Sequence, residues 1–206
     1  MLNTLKDIKN RQAESITEPA TLAEVKAWLI IDTANTDDDA LLTRLITEVR
    51  QAIEKRTKLS LVKRVIVVTV DLVREFKLPH GPIRSIDEVL YRRGTNGDGT
   101  PDNETLTITD YTTDGEDFKV IKSGRCGRHK ITCTTGYGED EEIDYDNPTP
   151  EDLMLAIRAE IAYRYEHRGD ETNTLSDSGN ATVQRVSGIS ADAMQYLRPY
   201  IDTAWV

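Results

Sequence analysis

Residues 131–168 read ITCTTGYGEDEEIDYDNPTPEDLMLAIRAEIAYRYEHR. Ile131-Thr132-Cys133-Thr134 has the β-branched composition of a buried strand end, and Gly136-Tyr137-Gly138 supplies a turn. Glu139, Asp140, Glu141, Glu142, Asp144 and Asp146 follow without one positive charge, so a water-exposed acidic loop is expected there. A helix is then marked at its start. Thr149 suits the N-cap, Pro150 the first helical position, and Glu151 with Asp152 put carboxylates at the positive end of the helix dipole. Gly169 is a natural stop. A β-rich middle therefore hands over to a helical end.

Working backwards, Val62 to Leu72 is rich in β-branched residues, which favour a pleated strand because their χ1 freedom is restricted. Phe76 and Leu78 alternate with charged neighbours before Pro79, Gly81 and Pro82 break the chain. Ile86 to Tyr91, Thr105 to Thr109, Phe118 to Ile121 and Lys130 to Thr134 read as further short strands separated by Gly, Asn and Asp clusters. They sum to a small antiparallel sheet, closed or sandwiched, over residues 61–135.

Ahead of the sheet the pattern is helical. Thr21-Leu22-Ala23-Glu24 is a capping box, in which hydroxyl and carboxylate each satisfy a free backbone N–H, and it opens a short helix ending near Ile31. Asp37, Asp38 and Asp39 place charge at the start of the next helix. Leu41, Leu42, Leu45, Ile46, Val49, Ala52 and Ile53 keep a 3.6-residue period within it, with Arg44, Glu48, Arg50, Glu54 and Lys55 opposite. Before Pro19, Leu2, Leu5 and Ile8 have helical spacing in a polar segment without caps, read as a frayed or partner-dependent arm. After residue 168, Glu171 to Asn180 reads as a loop and Ala181 to Val186 as one more strand. Ser190 caps a last helix, Ala191 to Leu197, which Pro199 is expected to end. Tyr200, Ile201 and Trp205 then form an apolar tail suited to docking.

The chain of 206 residues has 38% hydrophobic and 30% charged residues and a net charge of -10. No apolar run approaches the ~20 residues that span a bilayer, so no membrane association is expected. Residues 1–15 carry Lys6, Asp7, Lys9 and Arg11 where a secretory signal would be apolar, so a cytosolic, reducing setting is expected. Two cysteines define no disulfide framework. The negative charge argues against gripping nucleic-acid phosphates, yet suits a wall past which DNA slides.

No constellation assembles an active site. Cys126, His129 and Cys133, even with His80, lack the paired spacing of a zinc site, and Cys133 fits as a small packed residue. Asn96-Gly97-Asp98-Gly99-Thr100 has oxygen ligands but Pro101 where a calcium loop needs glycine, so a hairpin tip fits better. The carboxylates from Glu139 to Asp146 are a solvated surface rather than a metal site. Tyr163, Tyr165 and His167 read as packing and capping residues. No phosphate-binding glycine loop or nucleophile elbow occurs.

The order of signals resembles the head-tail connector (adaptor) proteins of long-tailed bacteriophages. The resemblance is carried by residues 19–29 (PATLAEVKAWL), by Asp38-Asp39-Ala40-Leu41-Leu42 with its helix to Arg56-Thr57, and by Leu78-Pro79 with Pro82-Ile83-Arg84-Ser85-Ile86. Thr134-Thr135-Gly136-Tyr137-Gly138, Tyr165-Glu166-His167-Arg168 and Leu197-Arg198-Pro199-Tyr200 complete it. The family implies an α+β fold: a small helical bundle core (residues 19–60 and 148–200) with an inserted antiparallel β-region (61–135) and a C-terminal helix and tail (201–206). The arm (1–18) and the acidic loop (136–147) depart from its minimal pattern.

It also implies a virion protein of the neck, made in the host bacterial cytoplasm, with no catalytic residues and no cofactor. Its partners would be the portal protein, neighbouring copies in a ring, commonly a dodecamer, and a stopper or tail-terminator protein, with DNA passing through. On that reading Tyr196, Leu197, Pro199, Tyr200, Ile201 and Trp205 meet the portal, and the acidic loop faces solvent or lumen. The alternatives are a stopper or tail-completion protein and a metal-dependent enzyme using the acidic loop.

Overall fold

A computed structural model describes residues 4–11, 17–72, 74–96, 100–106, 111–115, 118–140, 145–168 and 188–203. Its contacts divide the chain into two units: residues 1–17 with 59–148, and residues 18–58 with 149–206.

The first unit is β. Its largest sheet is antiparallel and five-stranded, in the order β1 (Thr4–Arg11), β2 (Arg64–Leu72), β8 (Gly127–Thr135), β4 (Ile83–Thr95), β5 (Pro101–Thr105). A three-stranded sheet runs β3 (Glu75–Lys77), β7 (Val120–Ser123), β6 (Tyr111–Asp114), and β9 (Gly138–Asp140) with β10 (Tyr145–Asn147) forms a two-stranded ribbon. Alternation puts Ile66, Val68 and Val70 of β2 and Ile131 and Cys133 of β8 on one face, with Val68 opposite Ile131 and Ile66 opposite Cys133. Val89, Leu78, Ile83, Leu106 and Ile121 complete this core. Each such side chain contributes about 1.5–3 kcal/mol by leaving water.

Two expectations are corrected in this unit. The N-terminal arm is not frayed: β1 pairs with β2, Leu5 opposite Val70 and Ile8 opposite Val68. An uncovered β2 edge would leave backbone N–H and C=O groups unpaired, and pairing outweighs the helical spacing of Leu5 and Ile8. The acidic segment is not a loop throughout, since Asp140 pairs with Tyr145 and Gly138 with Asn147. Glu141, Glu142 and Asp144 lie outside the described residues.

The second unit is helical: α1 (Leu22–Trp28), α2 (Asp39–Thr57), α3 (Glu151–Glu166) and α4 (Ala191–Thr203). The capping box forms as expected: Thr21 Oγ1 accepts from the Glu24 N–H, and a Glu24 carboxylate oxygen accepts from the Thr21 N–H at 2.8 Å. These bonds hold the Glu24 carboxyl below its usual range. The core takes Leu42, Leu45, Ile46, Val49 and Ile53 from α2, Leu153, Ala156, Ile157 and Ile161 from α3, and Ala193 and Leu197 from α4.

Three details differ from expectation. Asp38 is the N-cap of α2 but its carboxylate makes no cap bond. It accepts instead from the Tyr165 hydroxyl at 2.5 Å, while Asp39 pairs with buried Lys26. Pro150 occupies the N-cap of α3, one place earlier than expected. Pro199 lies inside α4, which runs to Thr203. Burial of Ala193 and Leu197 anchors that helix, so one lost N–H bond near its end is tolerated. Gly169, Glu171 to Asn180, Ala181 to Val186 and Trp205 lie outside the described residues.

Charges are buried in this unit, always in company. Arg50, nearly inaccessible, donates to Glu18 at 2.7 Å and to Glu54 at 2.9 Å. Glu160 accepts from Arg164 at 2.7 Å and from the Ser190 N–H at 2.7 Å, and Ser190 Oγ in turn caps α4 through the Ala193 N–H. Lys26 donates to the Asn35 carbonyl at 2.7 Å and braces the loop between α1 and α2.

Candidate functional site

The turn Gly136-Tyr137-Gly138 is a structural hinge-pin rather than a site. Gly136 has φ +117°, and a Cβ there would lie 2.2 Å from the Val62 carbonyl oxygen, so only glycine fits. Buried Arg84 donates to the Gly136 carbonyl at 2.7 Å and to that of Tyr137, and the Gly136 N–H donates to the Pro82 carbonyl at 2.9 Å. Two motifs 52 residues apart are thereby bonded to each other.

Cys126, His129 and Cys133 do not converge on a metal. Cys133 is buried, and its thiol is pushed up to about 12 by that burial, with the Asp87 charge adding to it. Cys126 is exposed. His129 is fully buried; Nδ1 donates to the Gly127 carbonyl at 3.0 Å, and Nε2 has no partner among the described residues. Burial holds this imidazole below its usual range. Among the described residues no group of three His, Cys, Asp or Glu side chains could hold a metal ion. Nor is any described helix long and apolar enough to cross a membrane.

The side chains expected to meet a partner divide by burial. Leu197 is fully buried within its own unit, so it cannot be offered to a partner and is withdrawn from the docking set. Tyr196 is 38% exposed, Pro199 is exposed, and Tyr200 and Ile201 are half-buried. Burial and the nearby Asp152 charge push the Tyr200 hydroxyl up. In the ribbon, Asp146 is exposed.

Two surfaces were missed by sequence reasoning. Ile30 has φ +58°, a left-handed conformation that a β-branched side chain rarely adopts, and is 93% exposed; Trp28 beside it is 47% exposed under the Arg158 guanidinium. Nothing in Trp28-Leu29-Ile30-Ile31 announces that turn, although Lys26, a lone cation on an apolar helix face, was a signal that the loop is pinned. The second surface is a depression on the outer face of the five-stranded sheet. Its cations Arg92, Arg128 and Lys130 are scattered in sequence, and only the strand register gathers them.

Residues 19–117 match the family model described as phage gp6-like head-tail connector protein. The match covers 99 of the 206 residues. No curated protein matches the chain. Solved structures show the same fold at low identity. A chain in the neck of an empty GTA particle computed with C6 symmetry has 17% identity and a TM-score of 0.63, covering 95% of each chain. A chain in the virion of a native gene transfer agent (GTA) particle has 18% identity and a TM-score of 0.61, with 94% of each covered. A chain in the neck of a native GTA particle computed with C12 symmetry has 18% identity and a TM-score of 0.59, covering 93% of this chain and 94% of that one.

Proposed function

We propose that this chain is a structural virion protein, a head-tail connector that forms a ring under the portal and joins the DNA-filled capsid to the tail. The observation that carries the reading is the joint one: a connector-family match over residues 19–117, and a fold shared along nearly the whole chain with neck chains in particles computed with C6 and C12 symmetry. Buried charges of the helical unit are held in internal pairs, such as Arg50 with Glu18 and Glu160 with Arg164, as befits a structural part.

In this reading the protein is not an enzyme. Tyr200, Ile201 and Trp205, with Pro199 and Tyr196 beside them, dock on the portal, where tyrosine and tryptophan anchors dominate binding energy. The net charge of -10 suits a passage that DNA traverses without adhering. The exposed Trp28 and Ile30 give the helical unit apolar surface for neighbours in the ring.

The test is binding of the purified chain to isolated portal and, separately, to isolated tails. Retention on portal, lost on Tyr200→Ala with Ile201→Ala while circular dichroism is unchanged, is the expected result. Retention on tails alone would instead make the chain a tail-completion or stopper protein.

A further inference from the structure

The turn that ends α1 holds an apolar side chain out in water. The Ile30 N–H donates to the Ala27 carbonyl at 3.3 Å and the Ile31 N–H to the Lys26 carbonyl at 2.9 Å, the bond pair with which a helix closes on a left-handed residue. That residue is ordinarily glycine or asparagine, because a Cβ is strained there, and here it is Ile30 at φ +58°. Ile30 is 93% exposed, so its side chain adds next to nothing to the packing of its own unit. An isoleucine here costs the free chain backbone strain and gives it no burial. Strain of this kind persists where the surrounding structure holds it, and it clusters at contact sites.

The turn is braced from below. Lys26, almost wholly buried, donates to the Asn35 carbonyl at 2.7 Å and pairs with Asp39. Asp32 accepts from the Ala34 N–H at 2.9 Å and Asn35 from the Asp37 N–H at 3.0 Å, so the loop leading into α2 is tied at short intervals. Trp28 beside the turn is 47% exposed with the Arg158 guanidinium over its ring, and Arg158 is itself paired with Glu151 at 2.8 Å. An apolar side chain on a rigid base, next to a half-exposed tryptophan, loses little freedom when a partner covers it.

We infer that Ile30, with Trp28 beside it, is a preformed anchor that the next copy of this chain covers. This rests on the ring reading given above, in which every copy meets two like neighbours and the portal. Two observations single out the neighbour. The aromatic set of α4 lies along another side of α3: the Asp152 charge acts on Tyr200 and Arg158 lies over Trp28, six positions and about 120° apart around that helix at ~100° per residue. A portal that takes the α4 side leaves the Ile30 turn to another partner. Charge along α2 and its leading loop points the same way. After Ile30 the exposed charges are carboxylates, Asp32 and Asp37, while Asp38 has Arg168 at 3.7 Å and Asp39 has Lys26. Arg44 and Glu48 cancel in the first half of the helix, and its far end carries exposed Lys55, Arg56 and Lys58, with Glu54 turned inward to Arg50. The ends are about 28 Å apart at ~1.5 Å per residue, so unlike ends meet only between copies, head to tail, as a closed ring requires.

The test uses the full-length chain on isolated portal. Ile30→Gly and Ile30→Asn, both suited to a left-handed turn, should fold with urea midpoints no lower than that of the unaltered chain and lose ring formation roughly tenfold or more. Ile30→Val, apolar and equally branched, should keep it. A photoreactive benzoylphenylalanine at position 30 of portal-bound rings should give adducts between two copies of this chain, read by mass spectrometry. Should a variant fail to fold, the adduct decides alone. Undiminished rings from Ile30→Gly and Ile30→Asn overturn the inference while the connector reading stands. Adducts to portal alone, or none, overturn it in the same way, the first by giving the turn to the portal. Absence of rings from the unaltered protein overturns both.

Discussion

The two units solve burial differently. The β unit excludes water with β-branched side chains in register, and its buried polar groups bond without carboxylate partners: Thr135 Oγ1 donates to Ser60 Oγ at 3.0 Å, and Arg84 donates to the Gly136 carbonyl. The helical unit buries charged groups, Arg50 and Glu54 with Glu18 at the edge and Glu160 with a half-buried Arg164. The first is therefore vulnerable to shape and the second to charge. Buried ion groups of this kind fix which helix faces which more than they add net stability.

That contrast can be broken at several points. The largest effect is expected from Gly136→Ala, whose Cβ would meet the Val62 carbonyl oxygen at 2.2 Å, with a φ of +117° adding strain. A loss of at least ~3 kcal/mol, seen as an insoluble protein or a collapsed urea midpoint, follows from a backbone clash that no side-chain motion relieves. Second is Arg50→Ala, which removes the buried guanidinium that both Glu18 and Glu54 accept from and should cost about 3 kcal/mol by urea unfolding. Arg50→Met with Glu18→Gln and Glu54→Gln should recover much of that. If Arg50→Ala is harmless, the charge-dependence of the helical unit is wrong.

Acid sharpens the comparison on the β side. Burial keeps His129 neutral, so the native state binds fewer protons than the unfolded chain, whose imidazole titrates near ~6.5. Stability is full above that value and falls as pH drops through it toward the lowered native value. Urea midpoints at pH 7.5 and 5.5 should differ, and His129→Leu should remove much of the difference. The smallest effect is at Ile30. Ile30→Gly relieves a left-handed strain of about 1 kcal/mol and should raise the melting temperature slightly, while weakening ring assembly if the exposed side chain meets a neighbour.

Much of this architecture was legible because it is local. The capping box at Thr21 and the 3.6-residue stripe of α2 are written in adjacent residues, and the structure carries both. The features that were not legible depend on partners distant in sequence. Leu5 and Ile8 are as compatible with a helix turn as with a strand, and only the open edge of β2, some 60 residues on, decides between them. Glu18 and Arg50 are 32 residues apart, and Asp38 looked like a cap until Tyr165 claimed it from 127 residues away. Pro199 argued locally for a helix end, and tertiary burial of Leu197 overrode it. At the candidate surfaces, aromatic content drew attention to α4 but could not separate buried Leu197 from exposed Tyr196. The cations of the sheet face fall together only through register.

Electron microscopy of the full-length chain mixed with purified portal tests the central claim most directly. The account predicts rings of this protein stacked on one end of the portal, each subunit showing the two-unit fold. Portal particles bare at both ends, under conditions where the chain is folded and in excess, would contradict it.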